Sequence, residues 1–418
     1  MRKYGSFKDS GIEWLGLIPS HWDILRIKDK VQKIGSGVTP KGGSEVYVDS
    51  GITFLRSQNV YDDGLRIDDV SFIDEETNLK MRNSQIKPND ILINITGASI
   101  GRTCIVPSTL PQANINQHII YIRLKEKYVN FVGAYFKTNT IKEYINLIQA
   151  GTSKEALNMG QTLNIPLILP PLSEQTEIAQ YLDTKTQAID KKVNLLEKKI
   201  GYYKELRKSI INETVTRGLN RNVKLKDSGI DWIGQIPEHW LVVRGKNLFN
   251  EYPKSKITAN EGNSEGKYKF FTSSNEQSKW LDYFQNDKEA VLLSTGGCAG
   301  VNYCDKEYSY STDCWAIFGN KKVFLKYFAF YFETIINEIQ QKGFKGSSLE
   351  HLQKDFIKSS EIILPPLSEQ TQIATYLDEK TQKIDAIVAN IQNQINNLKE
   401  LRKTLINDVV TGKIKVVE

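Results

Sequence analysis

The sequence predicts a mixed α/β (α+β) fold: two globular domains with mixed sheets, separated by two long antiparallel coiled-coil helices and related by a pseudo-twofold internal repeat. Three observations carry this prediction. KDSGIEWLGLIPSHW at 8–22 returns as KDSGIDWIGQIPEHW at 226–240, identical at 11 of 15 positions. LPPLSEQTEIAQYLDTKTQAID at 169–190 returns as LPPLSEQTQIATYLDEKTQKID at 364–385, identical at 18 of 22. The offsets are 218 and 195 residues, so a constant frame surrounds two unlike inserts, the second about 23 residues shorter.

A chain of 418 residues with 40% hydrophobic and 25% charged residues can bury two or more cores, and its composition is that of a globular protein. No stretch of 18 apolar residues occurs, and MRKYGSFKDSGIEW has no apolar secretion core, so the expected location is the cytoplasm, with no membrane partner. Cys104, Cys298, Cys304 and Cys314 form no CxxC pair and have no His at zinc spacing. They are expected to be reduced and mostly buried, and neither a metal nor a cofactor is expected. The net charge of +6 leans towards an anionic partner, yet segments 23–168 and 241–363 carry only +2 and +1. A phosphate-binding face must therefore come from the placement of charge rather than from a surplus.

In chain order, the first domain is expected over 1–170. Behind the opening segment, the runs ITFLRS, NDILINIT and IIYIRL read as strands between the turn signals KGGS, YDDG, KPND and TGASIG, and a helix follows near 129–149. The first conserved helix is expected over 171–217. Pro-Pro before a Ser, with Glu and Gln just inside, starts it, and Gly218 stops it. A linker covers 218–225. The second domain, 226–365, repeats the scheme with KYKFFT, EAVLLST and CWAIF as strands and a helix near 323–341. The second conserved helix covers 366–411, and Gly412 opens a tail over 412–418.

Both helices carry a heptad. One seam row is Leu182, Ile189, Leu196, Tyr203 and Ile210, and the other is Thr186, Val193, Ile200, Arg207 and Thr214. Adding 195 gives Leu377, Ile384, Ile391, Leu398 and Leu405 with Thr381, Val388, Ile395, Arg402 and Val409. Five heptads favour coiled-coil pairing of the two helices as a spacer, and packing of each on its own domain is the alternative. Arg207 and Arg402 either set the register or reach out of the seam.

Candidate ligand-binding side chains adjoin the predicted strands. LRSQNV places Arg56, Gln58 and Asn59 just beyond a strand, and INQH supplies Asn116 and Gln117. FFTSSNEQSKW supplies Ser274, Asn275, Gln277 and Lys279 beside Trp280. Lys41, Arg102, Lys254 and Lys256 add cations on neighbouring turns, while Lys154 and Lys345 with Ser347 lie in corresponding Gly-containing loops. Arg, Asn and Gln can make paired hydrogen bonds to base edges, and Lys and Ser can hold phosphates; the alternative for each is to satisfy turn backbone.

Catalytic signatures are absent from the sequence. There is no GxxxxGKS or GxxxxGKT, and LPPL has leucine where an amino-methyltransferase motif needs a polar residue. TGASIG and STGGCAG read as tight turns rather than phosphate loops, and Pro88-Asn89-Asp90 lacks the later Glu-x-Lys of a metal-dependent nuclease. His21 and His239 are copies within the repeated HW, expected to pack the frame. No catalytic residue is assigned.

The repeated GIxWxGxIPxHW, the repeated ILPPLSEQ before a long helix and the KELRK of the first helix, kept as KELRK in the second, together resemble the specificity subunits of type I restriction-modification systems over the whole length. NDILINITGASIG, FFTSSN and STGGCAG are similar to that family's target-recognition domains. The resemblance implies two target-recognition domains, each reading one half of a split double-stranded DNA target. It also implies two modification (methyltransferase) subunits that methylate adenine, and restriction subunits that add the motor and nuclease. The competing expectation is a coiled-coil scaffold whose two domains bind proteins.

Overall fold

A computed structural model describes residues 3–149, 156–274, 277–346 and 349–416. Two compact units emerge, Met1–Leu196 with Asn393–Glu418, and Glu197–Gln392. The division falls inside the long helices, so each helix gives one part to each unit.

In the first unit, β1 (Val31–Ser36), β2 (Ile52–Leu55), β3 (Ser71–Ile73), β4 (Gln85–Ile86), β5 (Ile91–Asn94), β6 (Thr103–Ile105), β7 (Ala113–Ile115) and β8 (Ile119–Leu124) build two four-stranded sheets. One is antiparallel in the order β6-β5-β8-β1, and the other runs β3-β2-β7-β4 with β2 and β7 parallel. The mixed sheet follows from β2 and β7 being far apart in sequence, since a tight hairpin can join only antiparallel neighbours. Ile91-Leu92-Ile93 is apolar on both faces because both are covered. Ile91 and Ile93 join a core with α1 (Glu126–Phe136) and α2 (Asn139–Gln149), while Leu92 joins Leu55, Cys104, Ile115 and Tyr121 between the sheets.

The second unit repeats this plan. β9 (Phe249–Glu251), β10 (Tyr268–Phe271), β11 (Lys279–Leu281), β12 (Ala290–Ser294), β13 (Val301–Cys304), β14 (Tyr308–Tyr310) and β15 (Cys314–Gly319) give the orders β9-β15-β12-β13 and β11-β10-β14. β10 and β14 are the parallel pair. Val291 and Leu293 face the core with α3 (Leu325–Thr334), and Ala290 and Leu292 face the second sheet. Most of the length difference lies between the second and fifth strands of the plan: 39 residues separate Ile52 from Ile91, but 22 separate Tyr268 from Ala290. The hairpin Val60–Tyr61 with Gly64–Leu65 and the helix Glu75–Lys80 fill that stretch in the first unit.

The helix expected near 129–149 is two helices, because the Thr138 hydroxyl donates to Tyr135 O (2.8 Å) and accepts from Ile141 N (3.3 Å), ending one and capping the next. The helix expected near 323–341 ends at Thr334 and continues as a short turn Ile336–Glu338 and a π turn Ile339–Gly343. Three cysteines are buried and Cys298 is exposed; all are free thiols. No described helix is long and apolar enough to cross a membrane.

The long helices run Leu172–Arg217 (46 residues) and Leu367–Val410 (44 residues), ending at Gly218 and Gly412 with φ of +75° and +77°. Every heptad-seam residue named above is buried or half-buried, so the repeat marks the packed stripe. Within the first unit Arg402 Nε lies 3.0 Å from Asp190, and within the second Arg207 Nε lies 3.2 Å from Asp385. Both pairs obey the 195-residue offset, and each joins the two helices running antiparallel. The seam arginines therefore stay in the seam and bridge to an acid on the facing helix. The helices also pack on their own domains: Ile178 and Leu182 share one core with Leu405 and Val409, and Ile211 and Val215 share another with Ile373 and Leu377.

Candidate nucleic-acid interface

The two repeated motifs touch each other in each unit. In the first unit His21 Nε2 of the opening segment meets Glu174 of PPLSEQ at 2.8 Å, and Glu174 also accepts from the Tyr4 hydroxyl. In the second unit His239 Nε2 meets Glu369 at 2.6 Å, and the buried Trp240 indole donates to the same carboxylate at 3.0 Å. Burial and the adjoining Glu174 carboxylate push the Tyr4 phenol well above its ordinary range. Each clasp fixes a domain's first segment to the start of a long helix, giving the insert a defined mount.

Within each sheet pair a second, repeated backbone arrangement carries unlike side chains. In the first unit Asn116 N donates to Leu55 O (3.0 Å), Ile95 N to His118 O (3.0 Å), Leu157 N to Ile95 O (2.9 Å) and Val38 N to Ile115 O (3.2 Å). These bonds gather five segments, 37–38, 55–59, 94–102, 115–119 and Leu157, into one corner. In the second unit Ser311 N donates to Phe271 O (2.8 Å), Thr295 N to Asp313 O (2.8 Å), Leu352 N to Thr295 O (3.0 Å) and Thr312 N to Ile257 O (2.8 Å). Three of the four bonds recur between equivalent residues, so matching backbone displays Asn116-Gln117-His118 in one unit and Ser311-Thr312-Asp313 in the other. TGASIG and STGGCAG supply the turn after the fifth strand of the plan, with positive φ at Gly97, Gly101 and Gly297, as expected of tight turns. Gly37 has no alternative there, since an added Cβ would stand 2.0 Å from Asn116 O.

The corner sorts the candidate residues. Gln117 and Gln58 are exposed, Arg56 is half-buried, and Arg102 lies in the turn held by Asn94. Asn94 orders this region by donating to Ser57 O (2.8 Å) and Ser99 Oγ (3.1 Å). The buried Asn59 amide donates to Arg66 O (2.9 Å) and Asp69 O (3.1 Å), and the buried Asn116 Oδ1 accepts from His118 N (3.2 Å). In the second unit Gln277 donates to Lys279 O (2.6 Å) and the Lys279 ammonium to Ala259 O. These four side chains are engaged by backbone and hold loop shape. Lys41, Lys254, Lys256, Ser274 and Lys345 are exposed. Lys154, Asn275 and Ser347 lie outside the described residues.

Sequence reasoning missed Thr312 and Asp313, although YSYSTDCW stands between two strands where NINQHI does in the first insert. It also missed Tyr61, whose ring is faced by the Arg66 and Arg102 guanidiniums at 4.9 and 4.8 Å. Such stacking uses the guanidinium face and leaves the edge to donate, as Arg66 does to Asp63 at 2.6 Å. Asp90, the acid of KPND, is fully buried and held by Arg123 through two bonds of 2.7 Å, a structural pair. Among the described residues no His, Cys, Asp or Glu group is arranged to hold a metal ion.

The family model described as the type I restriction modification DNA specificity domain matches residues 19–198 and again 237–397. The chain is similar to the type I restriction enzyme MjaVIII specificity subunit of Methanocaldococcus jannaschii, 21% identical over 96% of this chain and 94% of that one. It is also similar to the StySPI specificity subunit of Salmonella potsdam, 22% identical over 96% and 90%. A solved structure, reported under complex assembly and conformational transition of the type I R-M system, shares the fold with a TM-score of 0.71 at 16% identity, over 95% of this chain and 99% of that one.

Proposed function

The chain belongs to the family of type I restriction-modification DNA specificity proteins, and from that premise we propose how its two units divide the work. Each unit reads one half of a split, asymmetric duplex target, with the repeated frame holding the readers. The observation that carries this reading is the pair of corners: one backbone knot, built twice, presents Asn116-Gln117-His118 in one unit and Ser311-Thr312-Asp313 in the other. A scaffold that keeps its backbone and changes its hydrogen-bonding side chains is suited to reading two base patterns, because base edges are told apart by donors and acceptors.

In the first unit Gln58, Arg56 and Gln117 are the proposed base readers, with Lys41 and Arg102 on phosphate. In the second, Thr312, Asp313 and Ser274 are the proposed readers, with Lys254, Lys256 and Lys345 on phosphate. Asn59, Asn116, Gln277 and Lys279 are positioning residues. The domains 1–170 and 226–365 are the proposed readers and the helices over 171–217 and 366–411 the proposed mount for two modification subunits. Those partners supply adenine methylation, restriction subunits supply the motor and nuclease, and this chain supplies no catalytic group.

Footprinting of the chain assembled with its modification partner tests the proposal. Protection of one split site, with affinity falling steeply as salt rises, is the expected outcome. A single contiguous footprint, or binding indifferent to salt, would favour the protein-binding scaffold instead.

A further inference from the structure

The helix that packs on each long-helix pair also differs between the units. The sequences Tyr135-Phe136-Lys137-Thr138 and Tyr331-Phe332-Glu333-Thr334 correspond with an offset of 196, so Lys137 stands where the second unit has Glu333 and Asn130 where it has Lys326. In the second unit Glu333 pairs with seam Arg207, and Lys326 pairs with Asp378 at 2.8 Å. In the first unit the equivalent positions are Lys137 with Arg402 and Asn130 with Asp183, and Lys137 makes no ion pair among the described residues. Burial and the neighbouring Arg402 charge both lower the Lys137 pKa.

The motif glutamines show the same asymmetry. Gln370 Oε1 accepts the Phe324 N–H at 2.7 Å, and its amide donates to Lys322 O at 2.9 Å. In the first unit α1 begins earlier relative to this offset, and the equivalent N–H, that of Tyr128, is used inside the helix start by Lys125 O at 3.0 Å. Gln175 is 2% exposed, and its Oε1 has no hydrogen-bond partner among the described residues. The result is a cleft of about 750 Å³ lined by Gln175, Lys137, Arg402, Asn130, Asp183 and Ala179. Ala179 is half-buried there, whereas its counterpart Ala374 is fully buried.

We propose that this cleft of the first unit receives an acidic peptide segment of a protein that assembles with the chain. A backbone N–H of that segment satisfies Gln175 Oε1, as Phe324 does for Gln370. An Asp or Glu carboxylate takes the place of Glu333 between Lys137 and the seam arginine. A buried acceptor without a donor and a half-buried cation without an acid both gain from one such ligand. The inference rests on the specificity-subunit reading, which supplies the partners, and it makes their docking unequal at the two ends of the repeat.

The test uses the full chain assembled with its modification and restriction partners. Lys137→Glu recreates the Glu333–Arg207 chemistry, so the free chain is expected to keep the hydrogen exchange of its first unit while its affinity for partners falls about tenfold or more. Lys137→Met, which removes the charge without adding one, is expected to weaken assembly in the same direction should Lys137→Glu disturb the fold. A benzoylphenylalanine at Ala179 is expected to cross-link to a partner segment containing Asp or Glu. Unchanged partner affinity in both Lys137 variants, or cross-links confined to the chain itself, overturns the proposal while leaving split-site protection intact. Loss of split-site protection in the wild-type assembly would instead overturn the functional reading beneath it.

Discussion

Replacing Glu369 with Ala is expected to loosen the second unit at one defined place. Glu369 accepts from the fully buried Trp240 indole at 3.0 Å and meets His239 at 2.6 Å. Without it the indole N–H is buried without an acceptor, which costs about 1–3 kcal/mol. The His239 pair adds little, roughly 0–1 kcal/mol, because both side chains are substantially exposed. A loss of about 2 kcal/mol corresponds to about 30-fold easier local opening. Hydrogen exchange followed by mass spectrometry is the appropriate assay, since a two-unit chain does not give one unfolding free energy. Peptides covering 226–240 and the start of the second long helix should exchange about 30-fold faster, with those covering 8–22 unchanged. Trp22, the counterpart, has no indole partner among the described residues, so Glu174→Ala should act through Tyr4 and His21 instead. Equal acceleration in both opening segments, or none at 226–240, would refute the clasp as a local mount.

Glu251 gives a pH dependence. The Lys354 ammonium, the Lys358 ammonium and the Trp315 indole bond its carboxylate and hold it at about 2 against an ordinary 4.5. A depressed carboxylate stabilises the folded state above its unfolded value and loses that contribution as pH falls, so the helix Lys354–Ser359 should loosen between about 4.5 and 2. NMR titration or exchange of that helix should show this, and Glu251→Gln should remove the pH step; a step of equal size in the variant would contradict the assignment. Gly37→Ala should displace the Asn116 carbonyl, which stands 2.0 Å from the added Cβ. Its expected effect is loss of recognition at one half-site with the other retained, measured by binding to targets altered in each half.

The frame was legible because its signals are local and periodic. Leu182 through Thr214 and their counterparts gave the seam directly, and Gly218 and Gly412 gave the stops. The role of Arg207 and Arg402 was not legible, since a heptad shows what faces inward but not which acid stands opposite. The clasp was equally hidden: His21 and Glu174 are 153 residues apart and nothing in either motif announces the other. The break at Thr138 had a readable cue, a hydroxyl residue before a new apolar period, that a single long helix overrode. The candidate site was legible as regions rather than residues. INQH and LRSQNV do lie at one corner, but whether Asn59 and Asn116 turn inward depends on carbonyls brought there by the sheets. The second corner was missed because Ser311-Thr312-Asp313 carries none of the long amides that drew attention to INQH.

The most direct test maps methylated adenines in DNA from cells carrying the complete system, first with this chain and then with residues 241–363 exchanged for those of another specificity subunit. One asymmetric, split motif is expected for the native chain, and after the exchange a new motif that differs from it in one half alone. A contiguous motif, or an exchange that alters both halves together, would contradict two independent readers on one repeated frame.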